Sequence, residues 1–386
     1  MSGFLRELES IDRSLLKDRI GRATEAEARR LLSAKASGGN LPPGSVAALV
    51  SPAAAGLLDE MAGLAKRITA LRFGRTIQIY APLYLSNHCV NSCVYCGFNS
   101  GNLVPRRTLS LEEVEREAGA LKGRGIHQVL LVTGECPDEV PVGLLAECAR
   151  RLKPMFPSVA VEIYPMSEED YRILFNAGVD GLTIYQETYD KETYLQAHPA
   201  GPKRDFDHRL GAPERGGAAG FRQIGIGALL GLDDWRMEAC LLARHAAYLT
   251  KHHWRSQVSI SFPRLRPAAG GFQPPRPVSD RDLAQMIGAL RLVLPDAGLV
   301  LSTRESPQFR DNMAGIGITR ISAGSKTSPG GYLDEQGDAA GEQFSVHDSR
   351  TVDEVAAAVR SRGYDPVWKD WDAGFETDTP NRQGAA

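Results

Sequence analysis

No run of about 18 apolar residues, the length that spans a bilayer, occurs in this sequence. An excess of either charge is also missing: 45 Lys and Arg face 47 Asp and Glu, for a formal net charge of -2. That balance gives no sign of a nucleic-acid or membrane-surface binder. The first twenty residues carry charge throughout and lack the apolar centre of a signal peptide. We therefore expect a cytoplasmic protein with reduced thiols, in which a disulfide framework is not expected. Cysteine is scarce, with 6 in 386 residues. Cys136, Cys148 and Cys240 are scattered, whereas Cys89, Cys93 and Cys96 crowd into one short stretch.

What the chain does have is core. Its apolar content of 42% suffices for one barrel-sized domain. Residues 1–70 read as helices, interrupted by Gly38–Gly39 and Pro42–Pro43 and restarted by Ser51–Pro52. From Thr76 onward, short β-branched apolar runs alternate with helix-patterned segments. The predicted strands are 77–85, 129–133, 159–164, 182–185, 224–229, 258–262, 299–302 and 318–322. The helices between them include 111–124, 142–152, 168–177, 234–251 and 280–294. Near-continuous apolar strands alternating with helices argue for a parallel sheet covered on both faces. Eight repeats fit an α/β fold of the closed (β/α)8 TIM-type barrel, with a doubly wound open sheet as the alternative. The expected organisation is a helical extension over 1–70 and a barrel over 71–333. A C-terminal loop and helix over 334–376 would pack on the barrel, and a disordered tail would occupy 377–386. The Gly-rich stretch after Ser322 reads as a long loop, functional or mobile.

Residues 86–98 read Ser-Asn-His-Cys-Val-Asn-Ser-Cys-Val-Tyr-Cys-Gly-Phe. The C-x3-C-x2-C spacing places three thiols on one loop, and the Asn and Ser residues between them favour irregular backbone. Thiolates select zinc or iron–sulfur clusters. A structural zinc site needs four ligands, no later cysteine pair supplies a fourth, and His88 is too close in sequence to Cys89 to share its metal. Three ligands on a four-iron cubane leave one iron open. Packing of the three as small hydrophobes is opposed by the polar residues among them.

This motif, with Tyr95 just before its last cysteine, resembles the radical S-adenosylmethionine superfamily. The resemblance implies a 4Fe–4S cluster on Cys89, Cys93 and Cys96, whose open iron chelates S-adenosyl-L-methionine, with Tyr95 near the adenine. In a barrel the site gathers at the C-terminal strand ends, so polar residues there carry weight. Gly134–Glu135 after the second strand resembles the superfamily motif that receives the methionyl amino group, although an ordinary turn is the bland reading. Glu162 on the third strand suits either the cofactor ribose or a plain pleat position. Glu187 after the fourth is either a partner for a cofactor or substrate amine or a cap for the next helix. Arg304 after the seventh suits a substrate carboxylate, or else pairs with Glu305 at the surface. The charged segment 203–207 reads as a solvated loop rather than a site. Cys136 lies near the site, Cys148 and Cys240 read as packing residues, and His252 and His253 at a helix end receive no chemistry.

The resemblance narrows further to the 2-iminoacetate synthase family, the tyrosine lyases of thiamine thiazole biosynthesis. It rests on 82–87, on Tyr185-Gln186-Glu187-Thr188-Tyr189, and on 201–207, 261–273 and 302–306, and runs from about 77 to 372. It implies cleavage of the Cα–Cβ bond of L-tyrosine to p-cresol and dehydroglycine. By that analogy Arg304 and Ser322 hold the amino-acid carboxylate and Tyr84 lies by the substrate. A thiazole synthase partner and an external flavodoxin- or ferredoxin-type electron donor are also implied. A tryptophan lyase shares several of these elements and differs in the ring it accepts. A hydrogenase maturase needs further cysteines, and none follows Cys240. Sulfur insertion of the biotin-synthase kind would need a second cluster. A non-catalytic zinc or cluster-binding module is the reading from a different class.

Overall fold

The computed structural model describes residues 3–333 and 341–369. Eight strands alternate with helices along the chain: β1 (Thr76–Ser86), β2 (Gln128–Thr133), β3 (Ser158–Glu162), β4 (Gly181–Thr183), β5 (Gln223–Gly227), β6 (Gln257–Ser261), β7 (Gly298–Leu301) and β8 (Arg320–Ser322). Each pairs in parallel with its sequence neighbours, and β8 pairs with β1, so the sheet closes into the expected barrel. Long stretches of these strands are buried on both faces, as their continuous apolar composition requires. Helices begin where the chain offers caps. Ser110 with Glu113, Ser279 with Asp282 and Thr351 with Glu354 form reciprocal capping boxes at the starts of helices Leu111–Gly123, Asp280–Val293 and Val352–Ser361.

The N-terminal helices pack on the barrel's outer helical layer. Phe4 of helix Gly3–Glu9 is buried and stacks on His245, with ring centroids 4.1 Å apart. The restart at Ser51 takes a tight 3-10 form over Pro52–Leu57 before becoming the α-helix Leu58–Phe73. Among the described residues no single helix is long and apolar enough to cross a membrane. The segments Pro43–Leu49 and Pro52–Phe73 approach that only when joined across an 81° bend, and their Val46, Leu49, Met61 and Leu64 are buried in the fold.

One element has no counterpart in the sequence pattern. A ninth short strand, β9 (Asp365–Val367), pairs with Thr76–Gln78 at the start of β1, below the point where β2 takes over. Its three residues include Pro366, which removes a ladder donor, so neither length nor composition marks it as a strand. The tail expected from 377 and Trp371 lie outside the described residues.

Candidate active site

Residues 87–107 leave β1, form the cysteine loop and return to pair with it, as Leu109 donates to the Leu85 carbonyl at 2.9 Å. The loop has no regular secondary structure, so side chains satisfy its backbone. The Arg106 guanidinium donates to the carbonyls of Asn87, Phe98, Asn99 and Asn102 at 2.6–3.3 Å. The Asn99 carboxamide holds the Cys93 carbonyl at 3.0 Å, and Asn102 holds that of Cys96 at 3.2 Å. The three thiols consequently face one cavity of about 590 Å³. Burial pushes the Cys93 thiol up to about 12 and that of Cys96 upward as well. A thiolate in such surroundings needs a cationic metal partner. Among the described residues no three His, Cys, Asp or Glu side chains converge on a point that would hold a single metal ion. Three thiols lining one cavity are the donor set that a multi-iron cluster takes.

The turn after β2 closes this cavity on one side. Gly134 is there because the loop is there: a Cβ on it would fall 2.2 Å from the His88 carbonyl oxygen. The Glu135 carbonyl accepts from the Val90 amide at 2.9 Å, and its carboxylate accepts from Asn91 at 2.7 Å. The same Asn91 accepts from the Lys203 amide at 2.8 Å and lies 3.7 Å from the Cys89 sulfur. Asn91 therefore ties the cysteine loop to two other walls of the cavity.

Tyr95 donates its hydroxyl to His198 Nε2 at 2.7 Å, because the other ring nitrogen faces the Tyr194 carbonyl at 2.7 Å and must carry the hydrogen. Burial, then the Lys203 charge, brings His198 down to about 3, so it is neutral near pH 7.

Glu187 lines the thiol cavity, and of the two roles the sequence suggested it does not take the helix cap, which falls to Asp190. Its carboxylate instead accepts from Lys203 at 2.7 Å and from Arg209 at 3.2 Å. Burial alone would raise its pKa, but the two cations outweigh it and hold the carboxyl down to about 2. Glu187 is also the one described non-glycine residue with a positive φ, 70°, a conformation that surrounding contacts must sustain. Behind it the buried Glu238 carboxylate accepts from the Thr188 hydroxyl at 2.6 Å and from the Tyr189 amide at 3.2 Å.

The reading of 203–207 as a solvated loop is thereby corrected. Lys203 lines the thiol cavity, Asp205 caps a helix, and Phe206 joins the core. Arg204 and Asp207 stay exposed as expected, and Asp207 pairs with exposed Lys191. The charge run hid this because a lysine aimed inward by a short 3-10 turn looks like any surface lysine in sequence. Arg209, Arg106, His198 and Gln343 were also not singled out. The polar Asn and Ser positions of the cysteine loop were the signal that some side chain must serve its backbone.

A second cavity of about 550 Å³ adjoins the first, sharing Val132, Glu162 and Tyr185 as lining residues. Tyr80, Tyr84, Leu130 and Val300 give it an apolar wall, and Ser302, Arg304, Ser322 and Thr327 a polar end. Glu162 sits on the shared wall, its carboxyl pushed up to about 7, chiefly by burial and against the pull of Arg304. Ser322 accepts from the Thr303 amide at 3.0 Å. Tyr84 donates to Gln343 at 2.7 Å and meets Phe98 edge-on. Arg304 does not pair with Glu305, which is buried and bound by Arg264. Among the described residues Arg304 has no acidic partner; its guanidinium lies 3.3 Å from the Phe344 ring centroid. Cys148 and Cys240 are packed in the core, as expected.

The superfamily model described as radical SAM matches residues 83–242, and that of the Biotin and Thiamin Synthesis associated domain matches residues 261–365. A 2-iminoacetate synthase of Escherichia coli (strain K12) is 43% identical over 97% of this chain and 98% of its own length. The solved structure of HydG, a maturase of the FeFe-hydrogenase, matches with a TM-score of 0.88 at 34% identity, over 93% of this chain and 80% of that one. HydG from Carboxydothermus hydrogenoformans gives a TM-score of 0.84 at 31% identity, over 92% and 84%.

Proposed function

We infer the working of the site from the premise that the chain belongs to the 2-iminoacetate synthase family of radical S-adenosylmethionine enzymes. It is a lyase that cleaves the Cα–Cβ bond of L-tyrosine to 2-iminoacetate (dehydroglycine) and p-cresol, for the thiazole of thiamine. When bound, the 4Fe–4S cluster and S-adenosyl-L-methionine supply the 5′-deoxyadenosyl radical and leave 5′-deoxyadenosine and methionine. The observation that carries the reading is the adjacency of the two cavities, one lined by three thiols and the other ending in an arginine with no acidic partner among the described residues.

The protein's share is positioning and electrostatics. Cys89, Cys93 and Cys96 would hold the cluster. Glu135, brought to the loop by Gly134, offers a carboxylate and carbonyls to the cofactor's ammonium. Tyr95, its hydroxyl fixed by His198, lies outside the lining of both cavities and would meet the nucleotide base from behind the cysteine loop. Glu162, on the shared wall, is placed to accept from the ribose hydroxyls. Glu187 acts at one remove, neutralising and orienting Lys203 and Arg209 on the cofactor side. In the second cavity Arg304 receives the tyrosine carboxylate with a charge-assisted pair, and Ser322 adds a hydroxyl donor. Tyr84 and the apolar wall meet the substrate's ring.

The finer assignments follow the same reading. The imine product hydrolyses in water, which favours hand-over to a thiazole synthase, and a flavodoxin- or ferredoxin-type protein would deliver the electron in the cytoplasm. The helical extension over 1–70 and the barrel over 71–333 would form one catalytic unit with the C-terminal loop and helix expected over 334–376.

The test is anaerobic turnover of reconstituted protein with reductant and S-adenosyl-L-methionine, in separate arms with tyrosine and with tryptophan. Tyrosine should give 5′-deoxyadenosine, p-cresol and glyoxylate from hydrolysed dehydroglycine. Cleavage in the tryptophan arm alone would overturn the substrate assignment.

A further inference from the structure

An arginine in a cleft with a buried carboxylate nearby ordinarily swings onto it. Arg304 and Glu162 line the same cavity, and Arg304 is the strongest opposite charge acting on Glu162. The two nevertheless form no ion pair. Glu305, next in sequence, is removed from competition by Arg264, which also binds Asp280. Among the described residues the Arg304 guanidinium is held by a long hydrogen bond to the Arg264 carbonyl at 3.4 Å and by the face of Phe344.

Phe344 does not come from the barrel. It lies on the strap 341–348, which crosses the top of the barrel after the Gly-rich loop. The strap is anchored along its length. The Gly97 amide of the cysteine loop donates to the Gln343 carbonyl at 2.9 Å, and the Gln343 amide donates to the Thr327 carbonyl at 2.9 Å. The Thr327 hydroxyl donates to the Phe344 carbonyl at 2.9 Å. The His347 and Asp348 amides both donate to the Thr303 carbonyl, one residue before Arg304. Fully buried Asp348 is bound by Arg310 and Arg350, and Arg310 also donates to the Ser322 carbonyl. The backbone that carries the ring is thus fixed. A guanidinium seated over the ring at this distance leaves N–H groups beyond the one that reaches Arg264 open at its edge, and a carboxylate takes such groups in pairs.

We propose that Phe344 is a positioning residue for the amino-acid substrate, holding Arg304 over its ring and away from Glu162 so that its N–H edge stays open to the substrate carboxylate. The proposal rests on the reading of Arg304 as the carboxylate site. It makes the strap a determinant of affinity for α-amino acids over amines of the same ring. Without the ring, substrate must first pull Arg304 out of other conformations, a cost that appears in binding and not in the chemical step.

The experiment uses the reconstituted full chain in five forms: wild type, Phe344→Leu, Phe344→Met, Phe344→Tyr and Arg304→Ala. It measures KM and kcat for tyrosine, inhibition by tyramine, which lacks the carboxylate, and equilibrium binding of S-adenosyl-L-methionine. Phe344→Leu and Phe344→Met should each raise the tyrosine KM roughly tenfold, the scale of a partly desolvated cation–π contact. The kcat, tyramine inhibition and cofactor binding should stay near wild type, and Phe344→Tyr should restore the tyrosine KM. The two ring-less variants are read independently, so failure of one to fold leaves the other as the test. Equal weakening of tyramine and tyrosine would overturn the proposal, because the ring would then be only a wall. An unchanged tyrosine KM in a folded ring-less variant, with Arg304→Ala impaired, would overturn it alone. An unchanged KM in Arg304→Ala would overturn the carboxylate reading and this proposal with it.

Discussion

A Cβ on Gly134 would lie 2.2 Å from the carbonyl oxygen of His88, closer than any two such atoms can approach. The turn after β2 and the start of the cysteine loop are thus fitted to one another through a glycine whose φ is not in the left-handed region. Gly134→Ala should displace the loop at overpacking costs of about 1–3 kcal/mol. The expected outcome is a folded protein that retains less iron after anaerobic reconstitution, measured as iron and sulfide per chain. Full wild-type iron content would show that the close approach does not govern the cluster site.

Glu187 is buried between Lys203 and Arg209. Removing its carboxylate leaves two cations facing each other in a cavity, whereas removing Lys203 leaves Glu187 still paired with Arg209. Glu187→Ala should therefore cost about 3–5 kcal/mol of stability in anaerobic urea unfolding, and Lys203→Met distinctly less. Equal losses would contradict the pairing described.

Burial pushes Glu238 up to about 8 from an ordinary 4.5, against the hydrogen bond from Thr188. The folded protein therefore holds this proton where the unfolded chain releases it. The stabilisation is fully present below about pH 4.5 and is lost as pH rises through about 8. Thermal midpoints compared at pH 6 and pH 9 should fall less for Glu238→Gln than for wild type. An identical pH response in the two would remove Glu238 from the account.

Arg106 satisfies four carbonyls of the cysteine loop at once. Arg106→Lys keeps the charge but cannot reproduce the planar fork. It should leave the barrel folded by far-ultraviolet circular dichroism yet slow cluster reconstitution and speed cluster loss to a chelator. Unaltered chelation kinetics would mean that the loop is ordered by other contacts.

The barrel was legible because each strand is a short apolar run bounded by polar residues, and because eight of them recur with helices between. The cysteine loop was legible because three thiols at that spacing, among Asn and Ser, suit a cluster with one open iron better than a zinc ion or a packed core. The charged residues around it were less so. Lys203 and Asp207 are neighbours in one charge run, yet one enters the cavity and the other pairs at the surface, and only the Pro202–Arg204 turn decides which. Phe344 and Gln343 sit in a polar, Gly-rich stretch whose path over the barrel depends on backbone hydrogen bonds, which leave no mark in side-chain pattern. The β9 strand was hidden for the same reason: its pairing is set by the edge that β1 leaves open.

The measurement that tests the central claim most directly is cluster stoichiometry together with the electron paramagnetic resonance of the reduced protein, with and without S-adenosyl-L-methionine, in wild type and Cys93→Ala. Wild type should hold about four irons and four sulfides per chain, and its signal should change on cofactor addition because one iron lacks a protein ligand. Cys93→Ala should lose most of the iron. About one zinc and no sulfide per wild-type chain would contradict the account.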